Sequence, residues 1–236
     1  MTKRIAIIPA RGGSKRIPGK NIKNFCGKPI ISYSLDVAKA SNLFDVIHVS
    51  TDSIEIANLV KDLGYSVDFM RPKSLSDDHT PIMPVLRWVM DQYSSRGVRF
   101  DEVVAVMPCA PFIESSDLEE ALQLLKNNNY KNPVLAVSTY STPIEWAFNK
   151  EESGLLDPVQ QGMFEKRSQD LPKYYFDTGS FACFSNEYIN NTSGAGNDTS
   201  YLGHVIDKYK AIDIDTMDDW KFAEIVFYGL NKDLYL

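Results

Sequence analysis

Residues Pro9 to Asn21 (PARGGSKRIPGKN) place two neighbouring glycines, a serine and four cations, Arg11, Lys15, Arg16 and Lys20, in one short run. Glycine lets backbone N–H groups approach phosphate oxygens closely, and arginine and lysine neutralise their charge. The run is not a P-loop: five residues separate Gly13 from Gly19, and Asn21 follows Lys20 where Ser or Thr should hold magnesium. Phosphate binding and a solvated basic turn are the two readings, and position at the end of a buried first strand favours the first. Near the other end stands Ile212-Asp213-Ile214-Asp215. In an extended segment the isoleucines point to one side and the carboxylates to the other. Paired carboxylates suit a hard cation such as Mg²⁺. The competing reading is an edge strand with its acids in water, followed by Asp218 and Asp219 as helix N-terminal charges.

Three further segments leave their alternatives open. Arg71-Pro72 and Ser76-Asp77-Asp78-His79-Thr80 form a polar turn that either caps a helix or meets a ligand. Arg167 with Gln169 suits a carboxylate substrate, since a guanidinium fork matches a carboxylate at two points, or is a surface pair. Tyr174, Tyr175 and Phe176 are core or pocket wall. His48, His79 and His204 show no metal spacing, and His48 within a strand reads as a hydrogen-bonded core residue. Cys109 and Cys183 read as small core residues.

The elements that must position these residues follow from periodicity. Arg4 to Pro9 reads as a buried strand feeding the cationic loop, Ile31, Leu35 and Ala38 as a helix, and Val46 to Ser50 as a strand. Asp52, three residues before Glu55, is the expected N-cap of the next helix, with a strand expected at Tyr65 to Phe69. A helix through Ile82, Val85 and Val89 leads to a strand at Val103 to Met107. Ser116 and Glu119 are expected to open a helix through Leu118 and Leu125, followed by a strand at Val134 to Val137. Ser180 to Phe184 and Gly203 to Ile206 read as further strands, and Trp220, Ala223, Phe227 and Leu230 mark a closing helix. This alternation predicts an α/β, Rossmann-like, doubly wound and mainly parallel sheet in a single domain at 1–236, with an inserted arm or lid at about 141–177.

Composition narrows the function classes. The 236 residues are 44% hydrophobic and 24% charged, the balance of a globular chain, and no apolar run suits a membrane span. The net charge of 25 − 31 = −6 argues against a general nucleic-acid binder. Yet residues 1 to 35 carry eight cations and no acid, so the remainder holds −14 and one local anion site is implied. Pro9, Gly12, Gly13, Pro18 and Gly19 interrupt the helix that a basic targeting segment would need. Three scattered cysteines give no disulfide framework, and the expectation is a cytoplasmic protein with no membrane partner.

The stretches IIPARGGSKRIPGKNI, GKPII, FDVIHVSTD, RP-x-x-L-x-D-D, RSQDLP and IDIDT occur in the order seen in sugar-acid cytidylyltransferases, and the chain resembles that family, the CMP-sialic acid synthetases, over nearly its whole length. Locally, KRIPGKNI, Asp77 to Pro81, Phe176 to Gly179 and IDIDTMDDW resemble the pseudaminic acid branch. Met107-Pro108-Cys109-Ala110-Pro111 replaces the sialic acid branch's Gln-Pro-Thr-Ser-Pro, removing a glutamine expected to contact the sugar. Asp177 stands where that branch has Asn.

The resemblance implies transfer of CMP from CTP to the anomeric hydroxyl of a nonulosonic acid, with Mg²⁺ and release of pyrophosphate. It implies that Arg11, Gly12, Gly13, Ser14, Lys15 and Lys20 cradle the CTP phosphates, with Asn21, Arg71 and Thr80 near the cytidine. Asp213 and Asp215 would hold the metal, and Arg167, Gln169 and Asp177 the sugar acid. Arg11, Lys20 and Asp215 are the expected catalytic residues. A homodimer through the 141–177 arm is also implied. The alternatives are the same reaction on N-acetylneuraminic or legionaminic acid, and a module that binds CTP or a CMP-sugar without chemistry.

Overall fold

The computed structural model describes residues 2–192 and 200–231. The chain runs β1 (Arg4–Pro9), β2 (Asn24–Phe25), β3 (Lys28–Pro29), α1 (Ile31–Ala40), β4 (Val46–Ser50), α2 (Ile54–Asp62), α3 (Ile82–Ser94) and β5 (Glu102–Val106). It continues with α4 (Ser115–Asn127), β6 (Val134–Thr139), β7 (Phe148–Lys150), β8 (Leu156–Pro158), β9 (Tyr175–Ser185), α5 (Asn186–Asn191), β10 (Leu202–Val205) and α6 (Met217–Leu230). Six strands form one sheet in the order β10-β6-β9-β5-β1-β4.

Along β1 alternate side chains enter opposite layers. Ile8 joins the cluster of Ile31, Leu35, Ile56, Val60 and Leu118 from α1, α2 and α4. Ile5 and Ile7 meet Met83, Leu86 and Val89 of α3 on the other side. Burial on both faces accounts for the unbroken apolar run of β1.

The α/β expectation holds, but the sheet is mixed. Pairings β1 with β4, β1 with β5, and β10 with β6 are parallel, whereas β9 is antiparallel to both β5 and β6. A parallel strand needs a crossover that returns the chain to the starting edge. After β6 the chain stays on the C-terminal side of the parallel strands, through the β7–β8 hairpin, and enters β9 from there. Tyr175 to Asp177, counted above within the arm, therefore pair with β6 in the main sheet.

Two local expectations are corrected. Tyr65 to Phe69 forms no strand. Its side chains make tertiary contacts instead: Tyr65 Oη donates to the Leu35 carbonyl, and the Phe69 ring lies 4.5 Å from that of His48. Helix α4 is opened by Glu114 and Asp117 in a reciprocal capping box, not by Ser116 and Glu119.

His48 is the core residue its strand position suggests, wholly buried between β4 and α3. Tyr93 Oη donates to Asp68 and lies 3.2 Å from His48 Nδ1. The single Tyr93 proton is committed to Asp68, so His48 donates through Nδ1–H, and its Nε2 has no partner among the described residues. Burial pushes the imidazole pKa down to about 4, although Asp68 pulls the other way. As pH falls below 6.5, the unfolded chain takes up a proton that the folded chain refuses until about pH 4, so stability falls over that window. The expected contribution is a loss of about 2 kcal/mol by pH 5. Denaturant unfolding at pH 7.5 and pH 5 should show the protein losing about that much more than His48→Asn; equal losses in the two would refute it.

Candidate active site

The glycine-and-cation loop leaves the C-terminal end of β1, where ligands bind in sheets of this class. Ser14 N–H donates to the Gly12 carbonyl at 3.1 Å, which tightens the turn, and Gly19 adopts a left-handed φ of 64° that glycine alone accepts easily. Asn21, almost fully buried, donates from Nδ2 to the Arg11 carbonyl at 2.9 Å and fixes the exit of the loop against its entry.

The Ile212–Asp215 segment alternates as its sequence demands. Ile212 and Ile214 are buried and Asp213 is exposed, although the segment is extended without ladder pairing. Apolar packing brings the two chain ends together: Ile17 of the loop shares one cluster with Ile212, Ile214, Phe25 and Trp220. The Phe25 ring meets Trp220 edge-to-face at 5.4 Å, anchoring α6 beneath the segment. Thr216 and Asp219 cap α6 reciprocally, so Asp219 serves the helix while Asp215 is left for the cleft.

The result is one cleft of about 290 Å³ walled by the loop, the Ile212–Asp215 segment, Gly179–Ser180 of β9 and Met107–Cys109 after β5. Arg11, Ser14, Lys15, Arg16, Lys20, Asn21, Asp213 and Asp215 all line it. Lys20 Nζ donates to the Ile214 carbonyl at 2.8 Å and lies 3.3 Å from Asp215 Oδ1. Arg16 NH2 reaches Asp215 Oδ2 at 2.8 Å. Asp213 is exposed on the cleft side, yet desolvation by the surrounding wall, then the charge of Asp215, raises its carboxyl above the usual carboxylate range. Two neighbouring carboxylates on one wall of a cleft, with the charge of Asp215 acting against that of Asp213, fit a divalent cation. Among the described residues no third acid, His or Cys completes an all-protein site. Mg²⁺ requires none, because it commonly takes one or two carboxylates plus phosphate oxygens and water.

Other expected site residues lie around this cleft or apart from it. Gly12 and Gly13 line an adjoining open trough with Ser76, Asp77 and Asp78. Arg71 is 6% exposed, and its Nε and NH2 have no hydrogen-bond partner among the described residues. Burial lowers its pKa, with Asp52 opposing. A buried guanidinium with orphaned donors is costly unless a ligand completes it. Thr80 is engaged within its own turn, its Oγ1 donating to Asp77 Oδ1 at 2.8 Å. Asp177 Oδ1 accepts from Gly179 N–H at 3.0 Å and so shapes the β9 side of the wall. Arg167 and Gln169 are not brought to the cleft within one chain. Arg167 is exposed and paired with Asp170 at 2.9 Å, and Gln169 lines a separate cavity of about 410 Å³ with Tyr140, Tyr174 and Lys208.

Asp52 and Cys109 take places that their sequence context does not indicate. Asp52 is not the cap of α2, since Ser53 Oγ accepts from Ile56 N–H. Asp52 Oδ1 instead accepts from Gly12 N–H at 3.0 Å and binds the glycine loop to the start of α2. Cys109 faces the cleft and donates to Asn21 Oδ1 at 3.4 Å. Burial pushes its thiol pKa up to about 12, so it is inert as a nucleophile.

A cytidylyltransferase family model matches residues 5–172. The pseudaminic acid cytidylyltransferase of Campylobacter jejuni is 34% identical over 98% of both chains. The CMP-N,N'-diacetyllegionaminic acid synthase of Legionella pneumophila is 30% identical over 93% of this chain and 94% of that protein. A solved CMP:2-keto-3-deoxy-manno-octonic acid synthetase complexed with CTP has the same fold, with a TM-score of 0.71 at 17% identity over 97% of this chain and 99% of that one. No helix among the described residues is long and apolar enough to cross a membrane. With the match spanning the cationic loop and most of the sheet that carries it, the chain belongs to the cytidylyltransferase family and is a nucleotidyltransferase.

Proposed function

We propose that this protein transfers CMP from CTP to the anomeric hydroxyl of pseudaminic acid, releasing pyrophosphate. The observation that carries the reading is the contact of Lys20 with Ile214 and Asp215, which joins a phosphate-binding loop to a carboxylate pair across nearly the whole sequence. The identities favour this sugar acid: 34% to the Campylobacter jejuni enzyme against 30% to the legionaminic acid enzyme. The absence of glutamine from Met107–Pro111 separates the chain from the sialic acid branch.

In this reading Arg11, Gly12, Gly13, Ser14, Lys15 and Lys20 bind the triphosphate, and Arg71, Asn21 and Thr80 lie toward the cytidine. The orphaned Arg71 donors suit the acceptor-rich nucleotide. Asp213 and Asp215 would hold Mg²⁺, which when bound supplies charge neutralisation at the phosphate oxygens. The sugar hydroxyl attacks the α-phosphorus in line with the departing pyrophosphate. Arg11 and Lys20 offset the negative charge that grows on the leaving group, so the chain's contribution is positioning and electrostatics. Asp177 reads polar substituents of the sugar acid; Arg167 and Gln169, which one chain leaves outside the cleft, would meet its carboxylate only if the arm that bears them is brought to the cleft of a second copy. We extend the proposal to a single domain whose arm, at about 141–174 once the β9 residues are set aside, bears exposed Leu155, Leu156 and Phe164 and forms a homodimer.

The test is pyrophosphate release from CTP with a panel of sugar acids. Pseudaminic acid is expected to give kcat/KM at least about tenfold above legionaminic and N-acetylneuraminic acids, a discrimination of about 1.4 kcal/mol. A different preferred acid would replace the sugar assignment. No release in a single turnover with excess enzyme would favour a binding module and end the catalytic reading.

A further inference from the structure

The cations of the glycine loop are already engaged by carboxylates of this same chain. Asp78 bridges two of them: its Oδ1 accepts from Arg11 NH1 at 2.6 Å, and its Oδ2 pairs with Lys15 Nζ. A carboxylate held between a guanidinium and an ammonium occupies the place that a phosphate group would take with the same donors. The two cations in turn hold the Asp78 carboxyl below the usual range, Lys15 contributing first. Asp78 is delivered by a turn that is set locally: Asp77 Oδ1 accepts from His79 N–H at 2.9 Å, Thr80 N–H at 2.7 Å and Thr80 Oγ1. That turn and the loop form the two sides of one open trough. Asp215 makes a comparable bridge between Arg16 and Lys20, but it faces the cleft beside Asp213 and has a task of its own there.

We propose that Asp78 is an internal latch on the glycine loop, standing in for phosphate on Arg11 and Lys15 in the free protein and displaced from them when a polyphosphate binds. This rests on reading the loop as the CTP phosphate site. The latch keeps two mutually repelling cations ordered while no ligand is present. Its grip is weak enough to yield, because both ion pairs are open to solvent and such pairs stabilise little. Apparent CTP affinity is therefore the strength with which the two cations hold phosphate, less the strength with which they held Asp78.

The experiment uses the full chain and Asp78→Asn, which keeps the size of the side chain and removes its charge. CTP is titrated without sugar acid, and amide hydrogen exchange is followed over residues 11–16. The variant is expected to bind CTP about 3- to 10-fold more tightly, the scale of losing two exposed ion pairs. Its free loop should exchange faster than in the unaltered protein, and the two proteins should exchange alike once CTP is saturating. Asp78→Ser, which removes the carboxylate by a different route, should give the same pair of shifts. Tighter binding with no change in free-loop exchange would reduce the effect to long-range charge and overturn the latch, as would unchanged or weaker binding with an unaltered Tm. If the unaltered protein binds no CTP, the phosphate reading of the loop fails and the latch falls with it. If it binds and neither variant differs, the latch alone fails.

Discussion

Asp215→Ala should yield a protein that folds and still binds CTP but turns over at less than about one-thousandth of the normal rate, a loss of at least about 4 kcal/mol of transition-state stabilisation. Asp215 is the member of the carboxylate pair that meets the loop cations, with Arg16 NH2 at 2.8 Å and Lys20 Nζ at 3.3 Å. Removing it leaves Asp213 as the single acid among the described residues on that wall of the cleft. One carboxylate holds a divalent cation more weakly than two and no longer fixes it relative to Lys20. The same change frees Arg16 and Lys20 for phosphate, so CTP affinity measured without metal should be kept or improved while turnover collapses. That opposition separates a metal-holding residue from a merely structural one, whose loss would weaken binding and rate together. Pyrophosphate release with added Mg²⁺, set beside a binding titration in chelator, checks both halves. Near-normal turnover would remove Asp215 from the metal site.

How much of this was legible depends on where the determining contacts lie. The loop and the Ile212–Asp215 pair were readable because residue type and alternation are local properties, and β1 and β4 fall on the expected spans because their burial is written in consecutive apolar residues. Their meeting in space was not local. It depends on Ile17, Phe25 and Trp220 sharing one apolar cluster with Ile212 and Ile214. The antiparallel entry of β9 was hidden because strand direction depends on the absence of a crossover, not on the composition of Ser180 to Phe184. Asp52 shows the limit at one residue: its spacing to Glu55 matched a helix cap, while Ser53 took that role and Asp52 turned to Gly12. Arg167 and Gln169 carried the right chemistry for a carboxylate, yet nothing in their spacing told that one chain would leave them outside the cleft.

Lys210→Met should cost about 3–5 kcal/mol of folding stability. Lys210 is 7% exposed, and its Nζ donates to Glu114 Oε2 at 2.8 Å and to both oxygens of buried Asp117 at 3.0 and 3.2 Å. Burial alone would lower the Lys210 pKa, but Glu114 and Asp117 outweigh it and the net shift is upward. Asp117 faces the same opposition: burial would raise its pKa, and His204, the Glu114 amide and Lys210 reverse that. Methionine fills the volume of the lysine stem but leaves the Asp117 charge buried with too little compensation. The Asp117 carboxylate also accepts from Glu114 N–H in the box that opens α4, so its protonation or displacement weakens that helix start. Because Lys210 ends the turn that leads into Ile212–Asp215, the same lesion should loosen the carboxylate wall and raise the KM for CTP. Denaturant unfolding gives the stability, and the double variant Lys210→Met with Asp117→Asn supplies the decisive comparison. Neutralising Asp117 removes the stranded charge and keeps an acceptor for Glu114 N–H, so the double variant should recover at least about 1 kcal/mol relative to Lys210→Met alone. A single variant within about 1 kcal/mol of the unaltered protein, or a double variant less stable than the single, would show that the buried pair is not what secures this turn.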